Sequence, residues 1–196
     1  LRAANDADTA WDDIGAQEAI LEAMIAFDHE FSVIVAHGQD GLSAIWDVAE
    51  NRHVDGILAT STVPPHPAII AQLDEAKAFA IRVADALDYV GVLTLEFFAG
   101  PEGPVFNEMA PRVHNSGHWT IEGAITSQFE NHVRAICGLP LGDTALVAAG
   151  ARMVNLIGDE VDAWPRWAAT PHAHLHLYGK GDARIGRKMG HVTTLT

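Results

Sequence analysis

The sequence predicts an α+β domain, a mainly antiparallel sheet with helices packed against it, and three observations carry that expectation. Residues Gly91 to Ala99 alternate like a strand, and a Gly100-Pro101-Glu102-Gly103 turn leads into a second run from Val105 to Met109. The apolar runs in residues 30–49 are joined by a tight turn, which favours antiparallel neighbours over helical crossovers. The helical patterns stand apart from the strands, one after Pro67 and one after Thr126.

Taken in order, residues 1–16 are polar and alanine-rich and read as the end of something larger. Ala19 to Ile25 reads as a strand, and so does Glu30 to Ala36, with Phe31, Val33 and Val35 on one face. His37-Gly38-Gln39-Asp40-Gly41 is a turn, after which Leu42 to Ala49 returns antiparallel. Pro64-Pro65-His66-Pro67 breaks the pattern, and Pro67 suits the first turn of a helix. Ile69, Ile70, Leu73, Ala76, Ala80, Val83 and Leu87 then recur at helical spacing as one stripe, with Gly91 at the exit. After the hairpin come a loop, a helix from about Thr126 to Cys137, and strands at 151–158 and 172–178.

Composition narrows the function. With 196 residues, 48% hydrophobic and 19% charged, the chain is folded and has room for one sizeable core. No apolar run approaches the ~20 residues of a membrane span, so no membrane is expected. A formal net charge of −14 argues against a nucleic-acid partner, whose affinity rests on basic patches. A phosphate site would need local positive charge, which Lys180, Arg184, Arg187 and Lys188 supply; the same cluster also reads as a solvated turn. Leu1 to Asn5 is neither a signal peptide nor a natural start. Cys137 is the only cysteine, which excludes an internal disulfide and points to the cytoplasm; at a helix end it reads as a buried structural thiol.

The chemistry concentrates between Asn107 and His118, where a carboxylate, amides, a guanidinium and two imidazoles follow one another with little apolar side chain between them. A core accepts such polarity only if every group finds a partner. Folding the hairpin about Gly100–Gly103 sets Glu96 nearly opposite Asn107 and Glu108. Two carboxylates and an amide oxygen on adjacent strands suit a hard divalent cation such as Mg²⁺. The plainer alternative is two solvated glutamates on an exposed face, against which stands the apolar character of the strand around Glu96.

The run Asn107-Glu108-Met109-Ala110-Pro111-Arg112-Val113-His114-Asn115-Ser116-Gly117-His118-Trp119, with Thr126-Ser127-Gln128-Phe129-Glu130 and Leu139-Pro140-Leu141, closely resembles the 5-(carboxyamino)imidazole ribonucleotide synthetases, the ATP-grasp carboxylases of purine biosynthesis. The likeness continues through residues 53–57, 153–158, 174–176 and 186–191, and so covers nearly all of the chain from about Glu22. The run from Pro111 to Trp119 is specific to that branch; other ATP-grasp enzymes share only the Glu and Asn-Glu pattern.

The resemblance implies an ATP-grasp fold with a small C-terminal β-rich lobe: 1–30 as the tail of the lid subdomain and the adenine hinge, 31–140 as the catalytic core, and 141–196 as an incomplete lobe. An N-terminal α/β domain and most of the lid would lie outside this chain, making it an internal segment that is incompetent alone. The implied reaction is ATP-dependent carboxylation of 5-aminoimidazole ribonucleotide by bicarbonate through carboxyphosphate, with ATP and Mg²⁺ required, in a homodimer.

The implied roles follow residue by residue. Glu22, Ala23, Met24 and Ile25 would read adenine through their backbone. Glu30 would take the ribose and His53 the nucleotide, although alone Glu30 reads as a solvated edge residue and His53 as a turn histidine. Asn107 and Glu108 would face ATP, with Glu96 and Glu108 on Mg²⁺. Arg112 would grip bicarbonate, its planar fork matching the oxyanion. His114 would take the amine proton near neutrality, and Asn115 and Ser116 would line the site. Lys180, Arg187 and Lys188 would hold the ribonucleotide phosphate.

Two rival readings remain. His172, His174 and His176 alternate as if on one strand face, a pattern some metal sites use. The segment could also belong to a formate-dependent glycinamide ribonucleotide transformylase or a biotin carboxylase type of enzyme, or serve as a non-catalytic nucleotide-binding or oligomerisation module.

Overall fold

The computed structural model describes residue 3 and residues 6–196; Leu1, Arg2, Ala4 and Asn5, part of the polar stretch read as the end of something larger, lie outside it. A short helix α1 (Ala7–Asp13) precedes residues 17–27, which take no regular form. The strand expected over Ala19–Ile25 is therefore not formed. Among the described residues no segment runs beside it to accept its ladder bonds, and a lone strand leaves its backbone unpaired.

Strands β1 (Glu30–His37), β2 (Ser43–Ile45), β3 (Ala49–Val54) and β4 (Ile57–Val63) follow, then helices α2 (Pro67–Ile70) and α3 (Leu73–Ala86). The hairpin is β5 (Gly91–Gly100) with β6 (Gly103–Ala110). A 3₁₀ turn at Asn115–Gly117, α4 (Thr120–Gly123) and α5 (Gln128–Ile136) precede β7 (Ala151–Ile157). The chain closes with a 3₁₀ turn (Gly158–Ala163), α6 (Trp164–Ala168), β8 (Ala173–Leu177) and β9 (Lys188–Leu195).

All of these strands join one sheet in the order β6-β5-β1-β3-β4-β7-β9-β8, with β2 also on β1, and every pairing is antiparallel. Residues from 151 onward continue that sheet through the β4–β7 ladder. The turn after β1 forms as expected, but the strand returning beside β1 is only Ser43–Ile45 (β2), shorter than Leu42–Ala49, and Ala49 already opens β3. β1 is buried on both faces. Phe31, Val33 and Val35 pack with Ile69, Ala76, Ala80 and Ala84 of α2 and α3. Ile34 and Ala36 pack on the other face with Trp46, Trp119 and Met153. Double burial explains why β1 reads as a nearly continuous apolar run.

The long helical stripe after Pro67 is two helices. Its inward line is Ile69, Ala76, Ala80 and Ala84, whereas Ile70 and Leu87 face solvent. The break falls at Ala71–Gln72, where the Gln72 amide leaves the helix to donate to the carbonyl of Gly100 in the hairpin turn. Cys137 is exposed, not buried as expected, because it caps the end of α5 at the surface. Of the three alternating histidines, His172 lies outside β8 in a left-handed turn conformation, so only His174 and His176 share a strand face.

Candidate active site

The hairpin delivers the carboxylates as the sequence suggests. Glu96 pairs directly with Glu108, and the register then slips so that Phe97 faces Phe106 and Asn107 is the extra residue of a β-bulge. A bulge re-aims side chains at a strand edge, and β6 is an edge strand of the sheet. Only 12% of the Glu96 side chain is exposed. Burial holds its carboxyl above the usual range; the charges of Glu108 and Glu30 push the same way, while those of His53 and Lys188 oppose. Crowded anionic oxygens are the condition a divalent cation relieves. Among the described residues no three His, Cys, Asp or Glu side chains gather as a closed metal cage. Two carboxylates and an amide are instead the share a protein gives Mg²⁺ when phosphates and waters complete its shell.

Around this corner the structure collects most of the expected residues. The His53 ring meets Glu30 Oε1 at 2.6 Å and its backbone N–H donates to the same oxygen, which raises the His53 pKa. Glu30 is thus engaged through one oxygen, leaving the other for a ligand. Glu22, Ala23 and Ile25 line a cleft of about 380 Å³ with Phe98, Phe106 and Asn107. Met24 and Ile25 also border a second cavity of about 650 Å³, with Phe27, His29 and Gln72. The hinge residues therefore sit beside the carboxylate corner as irregular chain rather than as a strand end.

Past β6 the backbone is clamped. The Gln128 amide donates to the carbonyl of His114 and its oxygen accepts from the His114 N–H, at 2.7 and 2.9 Å. Gln128 is fully buried, and a Cβ on Gly117 would collide with Ile34 and Gln128, so the 3₁₀ turn lies flat on the sheet. His114 Nδ1 accepts the N–H of Ser116, which places the ring proton on Nε2, 3.5 Å from Glu96 Oε1. Burial, with the nearby charges of Arg112, Lys188 and His53, lowers the His114 pKa to about 4. The ring therefore titrates below the neutral range expected of it, with Nε2 facing Glu96.

Of the two residues expected to line the site, Asn115 is partly exposed and Ser116 is not. Ser116 is fully buried and bonded to His114. Asn115 Nδ2 reaches His118 Nδ1 and Asn155 Oδ1, while Asn155 donates back to Asn115 Oδ1, so both amide hydrogens of Asn115 are spent. Both residues brace the turn. Arg112 is exposed, and among the described residues its guanidinium hydrogen-bonds only the Val113 carbonyl.

The basic cluster divides. Lys188 enters β9 half-buried, its pKa lowered by burial while the charge of Glu96 acts against that shift; Arg112 is close enough to be felt as well. Lys180 is exposed, donates to the Lys188 carbonyl and lies over the Tyr178 ring. Arg187 is half-buried next to Lys188, and Arg184 is exposed.

Behind the turn, His118, His191 and His176 stack in sequence at 5.0 and 4.5 Å between centroids. His176 meets Glu122 at 2.6 Å and Tyr178 meets His191 at 2.7 Å. Gln128, Asn155 and His191 lie in the runs that carry the likeness, but the sequence assigned them no role. The available signal was an amide at Gln128 and Asn131, one helical turn apart, where a core face should be apolar.

Two outcomes follow for stability. Gln128→Leu keeps the volume but strands the His114 N–H and C=O, and should cost about 2–4 kcal/mol in a urea melt. Acid should also destabilise the fold. Burial lowers His118 to about 4 and His191 to about 3, from 6.5 when unfolded. The unfolded chain then binds more protons below 6.5, so stability is full above that pH and is lost as pH falls toward about 3. Denaturation at pH 7 and 5 measures the drop, and His191→Phe should make it smaller.

The comparisons agree with this geometry. The ATP-grasp domain family matches residues 1–129, and the phosphoribosylaminoimidazole carboxylase C-terminal domain matches 151–196. The N5-carboxyaminoimidazole ribonucleotide synthase of Brucella melitensis is 54% identical over 179 residues, 90% of this chain and 49% of the relative. The N5-carboxyaminoimidazole ribonucleotide synthetase structure from Thermus thermophilus superposes with a TM-score of 0.91 at 48% identity, over 100% of this chain and 54% of that one. The Aspergillus clavatus N5-carboxyaminoimidazole synthase, in complex with ADP and 5-aminoimidazole ribonucleotide, gives 0.82 at 34%, over 88% of this chain and 48% of that one. The chain spans about half the length of the curated relatives it matches. With the family matched over residues 1–129 and its acidic hairpin formed at the sheet edge, the chain belongs to the ATP-grasp family.

Proposed function

We propose that the full protein carboxylates 5-aminoimidazole ribonucleotide with bicarbonate at the expense of ATP, giving 5-(carboxyamino)imidazole ribonucleotide through carboxyphosphate, in the cytoplasm and as a homodimer. The observation that carries this reading is the pairing of Glu96 with Glu108 across a bulged hairpin, with Lys188 from the last strand beside them. In this reading 1–30 is the tail of the lid with the adenine hinge, 31–140 the catalytic core, and 141–196 an incomplete C-terminal β-rich lobe.

Adenine docks along Glu22–Ile25, and Glu30, steadied by His53, takes the ribose. Glu96, Glu108 and Asn107 would hold Mg²⁺, which when bound neutralises phosphate charge and helps to position the γ-phosphate. The residues of this chain do the rest. Arg112 swings its fork onto bicarbonate as it attacks the γ-phosphate. His114 points its N–H at Glu96 across 3.5 Å, and the proton that the amine loses on carboxylation leaves with the phosphate freed from carboxyphosphate. Asn115 and Ser116 brace the turn. Lys188 and Arg187 face the ribonucleotide phosphate, with Lys180 at the rim. Carboxyphosphate hydrolyses readily, so water must be excluded before it forms.

Arg112→Lys keeps the charge and loses the fork. The Michaelis constant for bicarbonate should rise well before that for ATP, and equal damage to both would mark a general structural role. The reaction itself is tested by phosphate release from ATP by the full-length protein. Release should require bicarbonate and 5-aminoimidazole ribonucleotide together; release that depends on formate would overturn the proposal.

A further inference from the structure

Tyr178 is engaged through two different parts of its side chain. It follows β8 directly, and its N–H donates to the Met189 carbonyl at 2.9 Å, so its backbone is held as a strand residue would be. Its hydroxyl meets Nδ1 of the buried His191 at 2.7 Å. The ring also packs at 5.7 Å from that imidazole and at 6.2 Å from His118. Burial pushes the phenol up to about 12 and lowers His191 to about 3, so near neutral pH the bond joins two uncharged groups.

The face of the same ring meets Lys180. That lysine is exposed and stands between Gly179 and Gly181, both in left-handed backbone conformation. A lysine on such a turn ordinarily leaves its strongly hydrated ammonium in water. Here, among the described residues, the ammonium meets the Lys188 carbonyl at 2.9 Å and the Tyr178 ring at 5.0 Å from its centroid, and no carboxylate. The placement brings it toward a second cation. Lys188 has its pKa lowered first by burial and then by the charges of Lys180 and Arg112, against that of Glu96. Like charges drawn together need a hold, and the negative ring face with the carbonyl dipole supplies it. Two cations gathered by neutral groups are preorganised for an anion, because an arriving phosphate does not have to order the lysine.

We propose that Tyr178 is a positioning residue of the ribonucleotide site, its ring face fixing the Lys180 ammonium beside Lys188 and its hydroxyl anchoring the ring to His191. This rests on the reading of Lys180 and Lys188 as phosphate-binding residues and adds the group that presents one of them.

The test is isothermal titration of 5-aminoimidazole ribonucleotide, and of its nucleoside, into the full-length protein, with thermal melts alongside. Tyr178→Phe keeps the ring face and strands His191 Nδ1. It should lower the melting temperature yet leave the ribonucleotide Kd within about 2-fold of the parent. Tyr178→Leu removes the face and should raise that Kd roughly 5- to 50-fold, with nucleoside binding nearly unchanged. In a Lys180→Met background Tyr178→Leu should add little, since both changes act through one ammonium. Pentafluorophenylalanine at position 178 keeps the shape of Phe and removes the negative face, so it should bind as weakly as Tyr178→Leu. That arm decides the matter if Tyr178→Leu does not fold. Pentafluorophenylalanine that matches Phe, or a Tyr178→Leu loss that persists in full beside Lys180→Met, overturns the positioning role and leaves Lys180 a phosphate ligand. A Lys180→Met protein that binds the ribonucleotide as the parent does overturns the reading of Lys180 as well.

Discussion

Glu108→Gln should lower turnover by about 10²-fold, some 3 kcal/mol of transition-state stabilisation, while leaving the melting temperature nearly unchanged. Glu108 is exposed on edge strand β6, so the isosteric swap buries nothing new and breaks no hydrogen bond or ion pair among the described residues. What it removes is one of two carboxylates brought face to face by the β5–β6 register. The charge of Glu108 also helps to hold the Glu96 carboxyl above its usual range, so the variant should let Glu96 ionise more readily. Steady-state rates across a Mg²⁺ titration measure the effect. An unchanged rate at saturating Mg²⁺ would show that Glu108 is not a ligand.

Lys188→Met should weaken 5-aminoimidazole ribonucleotide binding by roughly 10- to 100-fold, since one charge-assisted contact to phosphate is worth about 1.5–3 kcal/mol. Lys188 is half-buried at the start of β9, where Met keeps the apolar stem and loses only the ammonium. Arg187→Ala should act in the same direction. The loss should shrink for the nucleoside that lacks the phosphate, measured by isothermal titration. A variant that still separates nucleotide from nucleoside as well as the parent would place the phosphate elsewhere.

The parts legible in the sequence are those where one rule acted alone. The β5–β6 hairpin was readable because alternation and a Gly-Pro-Glu-Gly turn agreed, and because Glu96 interrupted an apolar strand. β1 was readable from its apolar density. β3 and β4 were not, because Glu50, Asn51, Arg52, Ser61 and Thr62 hide the alternation; Ser32, Asn51 and Ser61 in fact form a buried hydrogen-bonded seam across three strands. β9 was hidden by Gly190, where a Cβ would collide with the carbonyl of His176. The strand expected at 19–25 failed for the opposite reason: its residues suit a strand, but pairing is a property of neighbours.

At the candidate site, residue types pointed to Glu96, Glu108 and Arg112, because a carboxylate inside an apolar strand and a guanidinium beside it ask for a partner whatever their neighbours. The roles of His114, Asn115 and Ser116 could not be assigned from sequence, because hydrogen bonds to Gln128, Asn155 and each other decide which lone pairs remain free. Those partners lie far along the chain, and spacing says nothing about them.

The place of β9 in the sheet also sets an order of events during synthesis. β9 lies between β7 and β8, although β8 is made first. On the ribosome, β8 emerges with no edge to join, since its ladder consists wholly of β9 residues. It must wait beside the nascent sheet until residues 188–195 have left the exit tunnel and slotted against β7. The same late strand carries Lys188, so the carboxylate corner is built early and receives its cation only when the sheet closes.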